Sequence, residues 1–200
     1  MVRRFMGKRL PDGWYKKDVA PNGVYILTID DYLVERRVWN VINNPKAVGV
    51  AILSDYCKFA IPRDIKSESI RWGNQWTPAG ATIATDMAIA SKDYRGKANT
   101  DAILQVDTYG VSAAYYCNSF ILNGRNCYLG SLGEWVEAYK NVNEVNLCIQ
   151  IINGNPMYWG GSWSSTIYDF DTAWSFHWGK GEMGRNLRKD NVNVCPFAPL

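Results

Sequence analysis

The chain is predicted to adopt an α+β fold, and three observations carry that reading. Short runs rich in β-branched and aromatic residues fill the front of the chain. Helix-capping signals with apolar residues at helical spacing occupy the middle. The C-terminal part returns to alternating segments separated by turn residues. At 200 residues, 47% hydrophobic and 20% charged, the chain is long enough for one large domain or two small ones with a real core.

The first 20 residues open with a basic cluster, Arg3, Arg4, Lys8 and Arg9, expected to form a solvated or assembly-contacting arm. A β-rich module is expected over residues 21–78. Pro21-Asn22-Gly23 signals a turn. Val24 to Ile29 reads as a strand, Asp30-Asp31 as a turn, and Tyr32-Leu33-Val34 as the next strand. Val48 to Leu53 reads as a buried strand with Lys58 to Pro62 as its hairpin partner. The stretch Trp72 to Pro78 breaks the pattern and looks like a junction.

Residues 79–200 carry the helices. Asn99-Thr100-Asp101 is expected to cap a short helix through Ala102 to Gln105. Ser112 to Leu122 has amphipathic spacing and stops at Asn123-Gly124. Ser131-Leu132-Gly133-Glu134 is a capping box, in which Ser and Glu satisfy each other's backbone N–H groups. Another helix is expected from Val142 to Ile152, ending at Asn153-Gly154. Ala173 to Trp178 alternates, Gly179-Lys180-Gly181 suits a hairpin turn, and Val192 to Phe197 reads as a closing strand.

Composition excludes several functions. A formal net charge of +3, from 22 Lys+Arg and 19 Asp+Glu, is too balanced to imply a nucleic-acid partner. No apolar run approaches the ~20 residues of a membrane span, so no membrane insertion is expected. No apolar segment follows the basic start, so with Met1 as the first residue the chain is expected to be made in a cytoplasm. Five scattered cysteines with no CxxC pair read as reduced, mostly buried thiols.

Catalytic signals are sparse. His177 is the sole histidine, and no nucleophile elbow, P-loop, GxGxxG or HExxH is present. Asp169, Asp171 and Glu182 supply carboxylates that a glycosidase would need as an opposed pair. Asp169 and Asp171 read instead as parts of an exposed turn. No cofactor, metal site or catalytic residue is assigned. The richest stretch is Tyr158 to Gly179, where Trp, Tyr and Phe mix with Ser, Gly, Asp and Asn. Stiff rings with adaptable polar neighbours are typical of a recognition surface.

Three blocks carry a resemblance. The first is Lys92 to Ile103, similar to a DYxGKxNTxxI segment. The second is Ala113-Ala114-Tyr115-Tyr116-Cys117 with Cys127 to Glu134, similar to AAxYC…WYLPSxGEL. The third is Trp163 to Tyr168 with Ala173-Trp174 and Val194 to Ala198, similar to WSSTEY…AW…VRPFA. Together they resemble the C-type-lectin-like domains of phage and Bacteroidetes proteins. Relatives of that group are the variable proteins of diversity-generating retroelements, phage tropism determinants and, remotely, formylglycine-generating enzymes. Gly130 stands for the usual proline, Cys127 for the tryptophan and Cys195 for the arginine. The paired cysteines of the oxidases have no counterpart.

The resemblance implies a lectin-like domain over 79–200 whose loops display changeable side chains on a rigid frame. Tyr158, Trp163, Tyr168 and Trp174 match frame positions. Ile167, Asp169, Phe170, Asp171, Ser175, His177, Trp178, Lys180, Glu182, Arg185 and Asn186 fall between them and are the expected ligand-binding face. The expected function is a non-enzymatic virion protein, a fibre or capsid decoration, binding a bacterial surface glycan or protein. Partners expected besides the host surface are other virion proteins, met through the arm, and further copies of the chain in a homo-oligomer. The alternatives are a cement protein of the virion and a glycan depolymerase. Neither a Ca²⁺ loop nor the EPN or QPD tripeptides of sugar-binding lectins occur. Binding and thermal stability should therefore be unchanged in EDTA, which melting curves and binding titrations with and without chelator will check.

Overall fold

The most β-branched stretches of the front pair with each other, and the C-terminal strands then complete the sheets they begin. The computed structural model describes residues 9–64, 68–74, 78–157 and 160–200. In chain order the elements are β1 (Trp14–Lys16), β2 (Gly23–Thr28), β3 (Tyr32–Val34), β4 (Ala47–Leu53), β5 (Lys58–Pro62) and β6 (Glu68–Arg71). Helices α1 (Met87–Ala90), α2 (Gly96–Val106) and α3 (Ala113–Asn118) follow. After them come β7 (Ile121–Leu122), β8 (Arg125–Asn126), β9 (Tyr128–Leu129), α4 (Leu132–Lys140) and α5 (Val142–Ile151). The chain closes with β10 (Gly161–Ile167), β11 (Thr172–His177), β12 (Glu182–Leu187), β13 (Asn191–Val194) and β14 (Pro196–Pro199). The fold is α+β. No described helix is long and apolar enough to cross a membrane.

Two sheets organise the molecule. A seven-stranded sheet runs β1-β3-β2-β4-β5-β14-β9, and a five-stranded sheet runs β12-β11-β10-β13-β6. Both cross the expected boundary at residue 78. Ala198 of β14 lies opposite Ala60 of β5, and β13 pairs with β6 over four residues, Asn191 to Val194 against Arg71 to Glu68. Residues 21–78 therefore share their sheets with the C-terminal strands and do not pack as a separate module. The arm expected over 1–20 also ends early. Trp14–Lys16 form an edge strand on β3, and Arg9 is exposed. Arg3, Arg4, Lys8 and Tyr158 lie outside the described residues.

Alternation sends neighbouring residues of each strand into different cores. Ile26, Val50, Ile52, Phe59, Ile61 and Phe197 join Trp135 of α4, Val145 and Ile149 of α5, and Trp174 and Phe176 of β11. Tyr25, Leu27, Ala51, Leu53, Ala60 and Ala198 point the other way and are covered by Leu33, Leu122 and Cys127. Trp135 joins the layers. Its ring is 4.8 Å from Phe197 and 5.8 Å from Phe176, and its Nε1–H donates to the Trp163 carbonyl at 3.3 Å.

Several expectations from the sequence are corrected. Helix α2 begins at Gly96, three residues before the expected cap. Asn99 and Thr100 sit inside it, fully buried, with side chains bonded to Asp93 and to the Leu129 carbonyl. The helix expected to reach Leu122 stops at Asn118. Asn123-Gly124 is the turn of the β7–β8 hairpin, at φ 47° and 77°, a backbone shape that suits this pair. The closing strand splits at Cys195, which passes the chain from the five-stranded to the seven-stranded sheet. Ser131 and Glu134 do form the capping box, and the Glu134 carboxylate accepts the Ser131 N–H at 2.8 Å. Gly130 has a packing reason, since a Cβ there would meet the Phe197 ring at 2.5 Å.

All five cysteines are free thiols, four of them buried. Burial pushes Cys57, Cys127 and Cys148 up to about 12, so these sulfurs are protonated and unreactive at neutral pH.

Helix α4 carries a buried acid in its first turn. Burial pushes the Glu134 carboxyl up to about 7, against the opposing hydrogen bonds from Ser131 and Tyr128. A carboxyl raised in the folded state stabilises fully below its unfolded value, here about 4.5, and the contribution is lost as pH rises through about 7. The difference is worth on the order of 3 kcal/mol. Urea unfolding should show stability falling from pH 5 to pH 8, and Glu134→Gln should flatten that slope.

Candidate functional site

The site grows from one buried cation at the end of the five-stranded sheet. Arg188 follows β12 and is fully buried. Its Nε donates to the Thr172 carbonyl at 3.4 Å, its Nη2 donates to the Asp169 carbonyl, and its guanidinium lies 4.6 Å from the Trp72 ring centre. The Arg188 N–H donates to Asp171 O at 2.8 Å, and its carbonyl accepts the Trp72 N–H at 3.0 Å. Burial lowers the Arg188 pKa, opposed by Asp169 and Asp171. Arginine stays charged even so.

These contacts fix the β10–β11 turn from below while Asp169 fixes it from within. Asp169 Oδ1 accepts the Asp171 N–H at 2.9 Å, the Thr172 N–H at 2.8 Å and the Thr172 hydroxyl at 2.7 Å. The Thr172 hydroxyl foremost holds the Asp169 carboxyl below the usual carboxylate range. Local side-chain acceptors of this kind are what make Asp a turn former. At the tip stands Phe170, 55% exposed.

Beside the tip an open groove of about 620 Å³ is lined by Arg71, Gly73, Asn74, Asp171, Leu187, Arg188 and Lys189. It lies where the end of β6, the β10–β11 turn and the turn after β12 converge. The register brings them together, for Arg71 pairs with Asn191 and Thr172 with Leu187.

The residues expected on the displayed face are divided by this arrangement. Asp169, Phe170 and Asp171 are exposed and contiguous at the groove end. His177, Lys180 and Glu182 belong to the other end of the β11–β12 hairpin, roughly 17 Å away at the usual strand rise. Lys180 and Glu182 pair loosely there, at 4.0 Å. His177 is half-buried, with its Nδ1 shielded from solvent. Arg185 is exposed and its guanidinium lies 4.4 Å from the Tyr168 ring centre. Asn186 is half-buried and accepts from Ser175 Oγ at 2.8 Å.

Three of those residues are buried and cannot display anything. Ile167 is covered because residues 81–84 add alongside β10, with the Ala84 N–H donating to Ile167 O at 2.9 Å. Ser175 faces away from Trp174, as alternation requires, but that side of the strand is also covered, beside Trp163 and Gly184. Trp178 lies past the end of β11, so alternation no longer governs it. Its ring turns back to lie 5.6 Å from Tyr139 and 6.1 Å from Trp135. Trp163 and Trp174 are both buried, on opposite faces of the sheet.

Arg71, Arg188 and Lys189 were not expected at the site. Leu187-Arg188-Lys189-Asp190 reads in sequence as an ordinary exposed turn, and only the approach of Trp72 from 116 positions earlier buries the arginine. None of the family models, curated proteins or solved structures compared with the chain matches it.

A planar fork that reaches two carbonyls and covers a ring cannot be replaced by an ammonium. Arg188→Lys should cost about 2 kcal/mol. Hydrogen exchange should also quicken at the Asp171 and Thr172 amides while the core strands β4 and β5 stay protected.

Proposed function

We propose that the chain is a non-enzymatic binding protein of C-type-lectin-like architecture, carried on a phage particle, that attaches to a bacterial surface through the Phe170 tip and the groove beside it. The observation that carries this reading is the tip itself. An exposed aromatic ring stands on a turn made rigid by Asp169 and Arg188, next to an open groove with polar walls. Large exposed rings held without conformational freedom make good anchors, because little entropy is lost on binding.

The architecture supports the lectin-like reading. The C-terminal β14 returns to pair with a strand near the front, α2 and α4 flank the sheets, and residues 161–194 build a second sheet with its turns at the surface. The placement on a phage particle rests on the three sequence blocks. The Asp169 carboxylate is occupied in holding its own turn, which suits a display role better than acid–base work.

A cement role has one observation in its favour. Val41 and Ile42 stand 66% and 86% exposed on the loop after residues 36–38, far from the tip in sequence. Apolar residues so placed fit a contact with a neighbouring subunit.

Attachment to a panel of intact bacterial cells, measured with labelled protein, separates these readings. Phe170→Ala should leave stability within ~0.5 kcal/mol but weaken attachment about thirtyfold, as for a ~2 kcal/mol anchor. Trp174→Ala, which removes a buried ring whose Nε1–H donates to Ala84 O at 2.7 Å, should destabilise the fold by about 3–5 kcal/mol instead. A folded Phe170→Ala protein that attaches normally would sink the tip reading and turn attention to Val41 and Ile42.

A further inference from the structure

The geometry points to the class of ligand: the groove beside Phe170 is a binding site for an acidic glycan, one bearing carboxylate or phosphate groups along its length. This inference rests on the attachment reading above and adds the chemistry that reading leaves open.

Positive charge outweighs negative at the groove. Among the described residues Arg71, Arg188 and Lys189 line it with the Asp171 carboxylate, and Asp169 acts on Arg188 as well, so the charges left unopposed are those of Arg71 and Lys189. Arg71 and Lys189 are exposed and make no salt bridge among the described residues. Their charges are thus available to an anion, whereas Arg188 is committed to the turn and contributes mainly its field. Charge-assisted hydrogen bonds to such groups are roughly twice as strong as neutral ones.

The other walls suit a sugar. Leu187, 41% exposed, offers an apolar patch for a pyranose C–H face. Asn74 offers both donor and acceptor to hydroxyl groups, and Asp171 lines the same hollow. A volume of about 620 Å³ falls within the range of small-molecule sites, and the groove opens to the surface, so a stretch of polymer fits better than an enclosed metabolite. Nucleic acid fits less well. Trp72, the ring beneath the groove, is fully buried under Arg188, which leaves Phe170 as the exposed ring described beside it, whereas single strands are held by successive stacked rings.

Calorimetric titration of the full chain tests this with four probes: oligogalacturonate for carboxylates, a glycerol-phosphate polymer for phosphates, neutral dextran, and single-stranded oligo(dT). Binding of one or both acidic glycans is expected, weakening as salt is raised. Dextran should bind at least about tenfold more weakly. A preference between the two acidic probes identifies the source of the charge. The Arg71→Glu, Lys189→Glu double variant should lose about tenfold or more in affinity, while Lys189→Arg keeps it. If the double variant does not fold, Lys189→Gln alone should still weaken acidic-glycan binding severalfold and flatten its salt dependence. The proposal is overturned if neither acidic glycan binds, if dextran binds as tightly, if charge reversal changes nothing, or if oligo(dT) outcompetes both glycans. Cell attachment separates the two levels. Loss with Phe170→Ala but not with charge reversal sinks the groove and leaves the tip standing, and indifference to both sinks both.

Discussion

Four segments of the chain are tied together by one buried residue, Asp93. Asp93 is almost fully buried, and its two oxygens accept from Thr82 Oγ1 at 3.0 Å, the Arg95 N–H at 3.1 Å, Asn99 Nδ2 at 2.8 Å and Thr166 Oγ1 at 2.7 Å. Its backbone carbonyl accepts the Ser131 hydroxyl at 2.6 Å and the Gly133 N–H at 3.0 Å. A carboxylate taken out of water costs several kcal/mol unless its lone pairs are filled. Here four donors from three segments fill them, and the backbone carbonyl brings in the fourth segment, each of which must be in place first. The chain before α1, the start of α2, the cap of α4 and the end of β10 thus come together or not at all. Gly133 shows how tight the fit is, for a Cβ there would meet Asp93 O at 2.4 Å.

This node accounts for the sequence blocks in structural terms. Asp93, Asn99, Ser131, Gly133, Glu134 and Thr166 are the polar and small residues within them, and all six converge on it or border it. A sequence motif of scattered polar residues invites a search for a ligand. In this fold those residues are the frame, and the exposed residues lie elsewhere. The same fact explains the error over α2. Asn99 and Thr100 have the composition of a cap, yet their side chains are spent on Asp93 and on β9, so the helix begins three residues earlier.

What could be read from the sequence was local. The front strands followed from β-branched runs, α4 from its capping box, and the β11–β12 hairpin from Gly179-Lys180-Gly181, where Gly181 adopts φ 70°. Alternation placed Trp174 and Phe176 on the core side correctly. It could not say that the opposite side is buried too. That depends on Trp72, Ile103, Ala113 and Ala114, which cover the far face from up to 100 residues away and bury Trp163, Ile167 and Ala173 with them. Period-two patterning detects a difference between faces only when one of them meets water. Arg188 escaped for a related reason. Its burial is created by a tryptophan distant in sequence, and no local pattern encodes the meeting.

A sheet covered on both faces restricts where a binding surface can be. Residues 162–167 of β10 and 173–176 of β11 are all buried, so replacing any of them alters a core before it alters a surface. Freedom to change is left to the ends and the edge of the sheet: Phe170 and Asp171 in the first turn, Lys189 and Asp190 in the second, and the outer side of β12. Of these, the two turns adjoin the same groove and are joined through Arg188, whose guanidinium holds the first while its backbone belongs to the second. Side chains projecting from the two turns therefore keep a fixed spacing whatever they are. Rigid spacing with replaceable contents is the physical requirement for a recognition site that can change its ligand without changing its fold. A single buried arginine holds that spacing here, as the proposed attachment through this end of the sheet requires.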